Sequence, residues 1–177
     1  MSLATPSQTV GPFFAFGMSW LETTSLVDAD DPDALVIRGT VLNANDVGVP
    51  DAVIETFQAD EAGRFGSGDR GWTGFCRILS SEQGDFAFTT IKPGATVSDD
   101  GTRQAPHIDV SVFARGLLQR VITRIYFPDE EAANNEDPVL SAVEENRRTT
   151  LIAQSTDDHL RFDVHLQGEA ETVFFNC

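Results

Sequence analysis

Residues 104–124 read Gln-Ala-Pro-His-Ile-Asp-Val-Ser-Val-Phe-Ala-Arg-Gly-Leu-Leu-Gln-Arg-Val-Ile-Thr-Arg. From His107 onward apolar and polar side chains alternate, which predicts a β-strand with one face toward a core. The core face would carry Ile108, Val110, Val112 and Ala114. The opposite face would carry an imidazole, a carboxylate and a guanidinium, from the set His107, Asp109, Ser111, Phe113 and Arg115. We therefore expect the chemistry of this chain on that second face.

Short alternating segments separated by turn residues recur along the rest of the chain. They predict strands at 36–42, 52–58, 72–79, 86–91, 107–114, 120–127, 149–153, 161–166 and 172–175. Repeated short strands with a turn about every ten residues predict an all-β fold, a β-sandwich of mostly antiparallel strands. Asp137 before Pro138 has the pattern of a helix N-cap and predicts a short helix near 138–146. The length of 177 residues favours a single domain over 1–177.

The N-terminal segment, residues 1–20, is rich in aromatic residues but interrupted by Pro6, Gly11 and Pro12. Proline and glycine at these positions predict an extended, kinked arm rather than a helix. Its aromatic side chains need a surface that removes them from water, because an exposed apolar arm favours association. We expect the arm to pack on a partner chain.

The charge balance narrows the possible ligands. There are 12 basic and 28 acidic residues, giving a formal net charge of −16. Nucleic acids and anionic membrane surfaces need basic patches, so neither is an expected partner. A negatively charged ligand would need a local cation. Arg115 could hold a carboxylate in planar, bidentate fashion, although an arginine beside a glycine turn could equally be an ordinary surface residue.

The N-terminal sequence does not resemble a secretory signal. Its first basic residue is Arg38, and the same prolines and glycine interrupt any apolar segment. No stretch approaches the length of a transmembrane helix. A cytoplasmic location is the resulting prediction.

Histidine spacing leaves two functional alternatives open. His107 and Asp109, together with a distant His165 or His159, match the two-histidine, one-carboxylate pattern of a ferrous dioxygenase. The ordinary interpretation of His107 is a neutral histidine hydrogen-bonded inside the sandwich. A separate functional alternative is a β-sandwich binding module without enzymatic activity. The acidic run at 129–131 predicts a solvated turn.

Five segments, in order from one end of the chain to the other, resemble intradiol ring-cleavage dioxygenases. They are Thr5-Pro-Ser-Gln-Thr-Val-Gly-Pro-Phe-Phe, Gln58-Ala-Asp-Glu-Ala-Gly-Arg-Phe, Thr90-Ile-Lys-Pro-Gly, Ala105-Pro-His-Ile-Asp-Val-Ser-Val-Phe-Ala-Arg-Gly and Gly168-Glu-Ala-Glu-Thr-Val-Phe-Phe. The resemblance implies a β-sandwich and a homologous beta chain as partner.

The iron-binding pattern of that family is mostly missing. Its iron-bearing chains hold ferric iron with two tyrosines and two histidines, and tyrosinate is a hard oxygen donor suited to Fe³⁺. Here the one tyrosine, Tyr126, lies outside both ligand motifs, and Phe65 stands at one tyrosine position. The loop 95–105 has no tyrosine, and the histidine pair has become His107-Ile-Asp109. The resemblance therefore implies that this chain holds no metal and no catalytic residue, and that the beta chain holds the Fe³⁺.

The resemblance also implies a role in substrate binding. The complex would use O₂ to open the ring of 3,4-dihydroxybenzoate, giving 3-carboxy-cis,cis-muconate in aromatic degradation. Thr9, Gly11 and Pro12 would form a wall of the partner's substrate pocket. Arg115 would approach the substrate carboxylate.

Overall fold

The computed structural model describes residues 5–66 and 72–176. Three α-helices are present in these ranges, α1 (Pro12–Met18), α2 (Glu131–Glu136) and α3 (Pro138–Ser141), with 3-10 segments at Ser19–Leu21 and Glu145–Leu151. The strands are β1 (Ala34–Leu42), β2 (Val53–Phe57), β3 (Phe75–Leu79), β4 (Asp85–Ile91), β5 (Thr96–Val97), β6 (Arg103–Gln104), β7 (His107–Phe113), β8 (Val121–Tyr126), β9 (Gln154–Ser155), β10 (Leu160–Arg161) and β11 (Val164–His165). None of the described helices is long and apolar enough to cross a membrane.

Two sheets carry the fold. One has the order β3-β2-β7-β8, and all of its pairs are antiparallel. In the other, β1 pairs antiparallel with β4 and parallel with β10 and β11, while β9 pairs with β10. Strands β5 and β6 form a separate small hairpin. The all-β prediction, with mostly antiparallel strands, is confirmed.

The core lies between the two sheets, and β7 supplies its centre. Ile108, Val110, Val112 and Ala114 are all buried, as their alternation predicted. Together with Ile37 and Phe88 of the second sheet, they belong to one continuous hydrophobic cluster. Each such side chain contributes about 1.5–3 kcal/mol by leaving water, so the alternation in β7 fixes which of its faces turns outward.

The predicted extended arm is wrong from Pro12 onward, because α1 begins there. Proline at the first helical position has a backbone angle that suits the helix and lacks only an N–H that would have no partner. Gly11 is the N-cap, and its carbonyl accepts a hydrogen bond from the backbone of Phe14 at 3.0 Å. Residues 5–11 do lie outside regular structure. Treating Pro12 as a helix breaker overlooked that it can also begin one.

The helix predicted near 138–146 is shorter than expected. Asp137 is its N-cap, as predicted, and accepts hydrogen bonds from the backbone N–H groups of Val139 (2.9 Å) and Leu140 (2.8 Å). However, α3 ends at Ser141, and a 3-10 segment follows from Glu145.

Other predictions in the C-terminal third are wrong. Most of 149–153 belongs to the 3-10 segment, and 172–175 is irregular rather than a strand. The acidic run at 129–131 is not simply a solvated turn. Lys92 forms ion pairs with Asp129 (2.7 Å) and Glu130 (2.5 Å), and Glu131 begins α2.

Candidate functional site

The outward face of β7 is joined to β8 by an ion pair. The register of the sheet places Asp109 opposite Arg124, and Nε of Arg124 donates to Oδ1 of Asp109 at 2.8 Å. The same guanidinium donates through Nη1 to the side-chain oxygen of Gln104 at 2.8 Å. Side-chain exposures of 17% for Arg124 and 38% for Asp109 make this a partly buried pair, in which geometry is held more firmly than at an open surface.

Tyr126 extends this network into the interior. Its hydroxyl donates to Oδ1 of Asp137 at 3.0 Å and lies 3.4 Å from Nη1 of Arg124. The other oxygen of Asp137 accepts the backbone N–H of Ala105 at 2.8 Å. Burial raises the pKa of Tyr126 far above its ordinary value, so the phenol stays protonated.

His107 lies beside the network and is only 4% exposed. Its Nδ1 is 2.7 Å from the carbonyl oxygen of Ala105, and because a carbonyl can only accept, Nδ1 carries the proton. Burial lowers the pKa of His107, and the positive charge of Arg124 lowers it further. The geometry supports the interpretation of a neutral histidine hydrogen-bonded inside the sandwich.

These residues do not fit a ferric ion. A metal cation near His107 would meet the fixed positive charge of Arg124, which already occupies Asp109. Tyr126 is a protonated donor to Asp137 rather than a tyrosinate. Phe65 offers no oxygen, and its ring stacks on Phe57 with centroids 5.4 Å apart.

The ferrous alternative is not assembled either. His165 lies on β11 in the other sheet, with Nδ1 3.6 Å from Asp46. Across residues 5–66 and 72–176, no three His, Cys, Asp or Glu side chains are grouped so that they could hold a metal. His107, Asp109 and His165 therefore do not form a common site.

Of the second group of predicted residues, Thr9 contacts the turn after β7 that carries Arg115. Gly116, at a positive φ of 93°, donates its backbone N–H to Oγ1 of Thr9 at 2.7 Å. The N-terminal segment thus contacts the turn that carries Arg115. Gly11 and Pro12 follow Thr9 as exposed residues. A groove of about 320 Å³ is lined by Arg115 and Gly116 together with residues from 43–50 and 166–167, whereas Thr9, Gly11 and Pro12 are not among its lining residues.

Arg115 itself is half-exposed and has a weakly held partner. Its Nη2 lies 3.4 Å from Oδ2 of Asp51, and the two side chains are 48% and 42% exposed. Exposed ion pairs contribute about 0–1 kcal/mol, so the guanidinium can exchange this carboxylate for another at little cost.

The aromatic residues of helix α1 and of the 3-10 segment after it differ in their exposure. The ring of Phe14 lies 5.4 Å from that of Phe113 on β7, and Ala15 is buried. Phe13, Phe16 and Trp20 are 85%, 78% and 84% exposed. We call these three residues the aromatic face. Large apolar side chains exposed together mark an interaction surface.

Sequence reasoning missed the partners that organise the polar face, above all Arg124. Alternation along β8 places Arg124 on the same face as Tyr126, but its pairing with Asp109 depends on a register that no single strand reveals. Asp137 was predicted only as a helix cap. Its contacts with Tyr126 and Ala105 join segments far apart in the chain.

Comparison with known proteins places the chain among the dioxygenases. A family model described as dioxygenase matches residues 10–168. The protocatechuate 3,4-dioxygenase alpha chain of Burkholderia cepacia is 40% identical over 97% of this chain and 96% of its own length. The alpha chain of Pseudomonas putida is 36% identical over the same shares.

More distant similarity extends to a beta chain and to a solved structure. The protocatechuate 3,4-dioxygenase beta chain of Burkholderia cepacia is 27% identical over 79% of this chain and 67% of its own. The dioxygenase domain of a dioxygenase–carbohydrate-binding fusion from Streptomyces sp. SirexAA-E matches with a TM-score of 0.59 at 22% identity, over 83% of this chain and 88% of that one. At that identity the likeness shows the fold alone.

Proposed function

Because the chain belongs to the intradiol dioxygenase family, we propose that it is the alpha subunit of a protocatechuate 3,4-dioxygenase. Together with a beta subunit it opens the ring of 3,4-dihydroxybenzoate with O₂ to give 3-carboxy-cis,cis-muconate. Both oxygen atoms enter the product, so no further reductant is needed. The chain contributes pocket wall, substrate recognition and assembly surface rather than the reacting metal.

The observation that best supports an iron site in the beta chain, and not in this chain, is the Arg124–Asp109 ion pair. Intradiol dioxygenases use iron, and a ferric site needs anionic oxygen donors together with histidines. Asp109 and Asp137, which lie near His107, are engaged with the guanidinium of Arg124 and with the hydroxyl of Tyr126. That tyrosine is a protonated donor. The Fe³⁺ is therefore held by the beta chain.

Recognition of the substrate carboxylate falls to Arg115. A chain with a net charge of −16 repels an anion at long range, so a close cation is required. Arg115 is half-exposed, and its contact with Asp51 is long enough to be exchanged. Charge-assisted pairing with a carboxylate is about twice as strong as a neutral hydrogen bond.

The wall of the pocket is supplied by Thr9, Gly11 and Pro12. Thr9 accepts a hydrogen bond from Gly116, the residue after Arg115, which supports a pocket that includes both the N-terminal segment and this arginine. Gly11 lacks a side chain, and apart from its chain neighbours no described residue has an atom within 4 Å of the position a Cβ would take, so an incoming ligand or chain can approach its backbone closely.

The aromatic face is the surface that meets the beta chain. Burial of large aromatic side chains dominates the energetics of many interfaces. Phe13, Phe16 and Trp20 are exposed, and Phe14 holds the helix that carries Phe13 and Phe16 against Phe113 of the sheet. The 27% identity to a beta chain is consistent with two homologous sandwiches facing each other.

The test is iron content with a visible spectrum, measured on the purified chain and on the chain co-expressed with a beta subunit. We expect a colourless, iron-free chain that joins a coloured, active complex. Stoichiometric iron in the chain alone would overturn the proposal and make His107 and Asp109 the first residues to substitute.

A further inference from the structure

A second groove lies away from the residues proposed to meet the substrate. It has a volume of about 600 Å³ and runs between α3, the 3-10 segment at Glu145–Leu151 and the irregular stretch 172–175. Its walls are apolar, formed by Val139, Val143, Val173 and Phe175. Small-molecule sites commonly have volumes of about 300–1,000 Å³ and are lined by apolar groups with few polar ones.

Arg147 supplies the cation of this groove. Its Nη2 donates to the backbone oxygen of Glu171 at 2.8 Å. Its Nε is buried and has no hydrogen-bond partner among the described residues. Nor does Arg147 form an ion pair with any carboxylate in that part of the chain, although acidic residues outnumber basic ones 28 to 12. The guanidinium charge is therefore not neutralised by any described carboxylate, and a bound anion would supply the missing partner.

We propose that this groove binds a small monocarboxylate with an aromatic or branched apolar body. The carboxylate pairs with Nη1 of Arg147, which has no protein acceptor in the described ranges and, unlike Nε, is not a buried atom. The apolar body lies against the valines and the ring of Phe175. Glu144 lines the same groove and would repel a second negative charge, so a monoanion is preferred over a dianion.

A purely structural role for Arg147 makes a different prediction. If the side chain only braces the carbonyl of Glu171, the groove has no reason to distinguish a charged ligand from a neutral one of the same shape. Benzoate and benzamide form such a pair, since both carry a phenyl ring and a planar head group and only benzoate is charged. The contrast between them isolates the contribution of the guanidinium.

The experiment uses the full chain with labelled valine methyl groups, titrated with each compound and followed by NMR. We expect benzoate to shift the methyl signals of Val139, Val143 and Val173, with benzamide binding about tenfold more weakly or worse. Arg147→Gln should reduce benzoate affinity to that of benzamide. Arg120→Gln, which removes an exposed arginine elsewhere, should leave it unchanged.

A second variant keeps the test decisive if Arg147→Gln fails to fold. Ala142 is an exposed residue that lines the groove, and Ala142→Leu should block the groove while leaving the guanidinium in place. We expect it to abolish the benzoate-induced shifts. Equal binding of benzoate and benzamide, or shifts confined to residues outside the groove, would overturn the proposal. These results would leave the proposed function unaffected, because the NMR titration tests neither the iron content nor the role of Arg115.

Discussion

Gly116 donates its backbone N–H to the hydroxyl of Thr9 at 2.7 Å across a separation of 107 residues. This hydrogen bond joins the irregular N-terminal segment to the turn that carries Arg115. Gly116 has a positive φ of 93°, a backbone region in which residues with a side chain are strained, so the turn depends on glycine at this position. The position of the proposed pocket wall and that of the proposed carboxylate-binding group are therefore coupled.

Thr9→Val should test this coupling with little change in shape. Loss of one hydrogen bond corresponds to about 0.5–1.5 kcal/mol, so we expect KM for 3,4-dihydroxybenzoate to rise roughly two- to tenfold in the assembled enzyme. Thr9→Ser keeps the acceptor oxygen and should behave as wild type. A valine variant with an unchanged KM would show that the contact has no part in substrate binding.

Arg115→Ala should weaken use of the substrate while iron content stays the same. A charge-assisted contact contributes about 1.5–3 kcal/mol, which corresponds to a roughly ten- to hundredfold loss in kcat/KM. Arg161 is the matched control, because it too is about half-exposed and paired with an aspartate, at 2.8 Å. Arg161→Ala should have no effect, and an unchanged KM in Arg115→Ala would refute the role of Arg115.

Substitution of the aromatic face should separate assembly from folding. Trp20→Ser and Phe16→Ser change exposed side chains, so the stability of the isolated chain should stay within about 0.5 kcal/mol. We expect both variants to co-purify with less beta subunit. Leu118 is also exposed, and Leu118→Ser serves as the control. Retention of the beta subunit at the wild-type ratio would place the interface elsewhere.

The buried network around Asp137 should make a large contribution to stability. Asp137 accepts hydrogen bonds from Tyr126, Ala105, Val139 and Leu140. Asp137→Ala leaves these donors without an acceptor, and we expect the free energy of unfolding to fall by about 3 kcal/mol or more. Tyr126→Phe removes one donor and should cost about 1–2 kcal/mol. Urea denaturation measures the free energy of unfolding of both variants. An equal loss in the two variants would contradict the central place of Asp137 in the hydrogen-bond network.

His107 should make stability depend on pH. Burial and the nearby Arg124 hold the pKa of His107 below its ordinary value of 6.5, although Asp109 and Asp137 act in the opposite direction. The unfolded chain therefore binds the proton more readily, so this contribution is complete above about pH 6.5 and is lost as the pH falls toward the lowered pKa. Urea unfolding at about pH 7.5 and about pH 5.5 should show a smaller decrease for His107→Gln than for the wild type. An identical decrease in the free energy of unfolding for both proteins would show that His107 does not contribute to the pH dependence.

Much of the sheet structure could be read from the sequence, because burial of one face imposes alternation. Strand β7 is the best example, with every predicted core residue buried. The strand predictions at 149–153 and 172–175 are wrong because these segments are partly buried but do not form a ladder of hydrogen bonds with a neighbouring strand. Ala153 and Phe175 each donate one backbone N–H to the first sheet, at 2.9 Å and 2.8 Å, so residues around them look strand-like without forming strands.

The proposed site was less accessible to sequence reasoning. Alternation places Arg115 and Asp109 on one face, but Arg115 lies beyond the end of β7 and turns to Asp51 instead. The contact between Thr9 and Gly116 depends on the path of an irregular segment that no periodicity describes. Pairing of Arg124 with Asp109 required the register of β7 with β8. Residue types could thus be predicted, whereas their partners could not.

The parallel pairing of β1 with β10 and β11 bears on how the chain folds during synthesis. The backbone N–H of Thr40 binds Asp163 at 2.9 Å across 123 residues, and these late strands close one side of β1. Until the ribosome has released residues 160–165, β1 has an open edge that can pair with other chains. Closure over so long a loop is slow. The second sheet is therefore completed only after residues 160–165 have been translated, long after β1 itself.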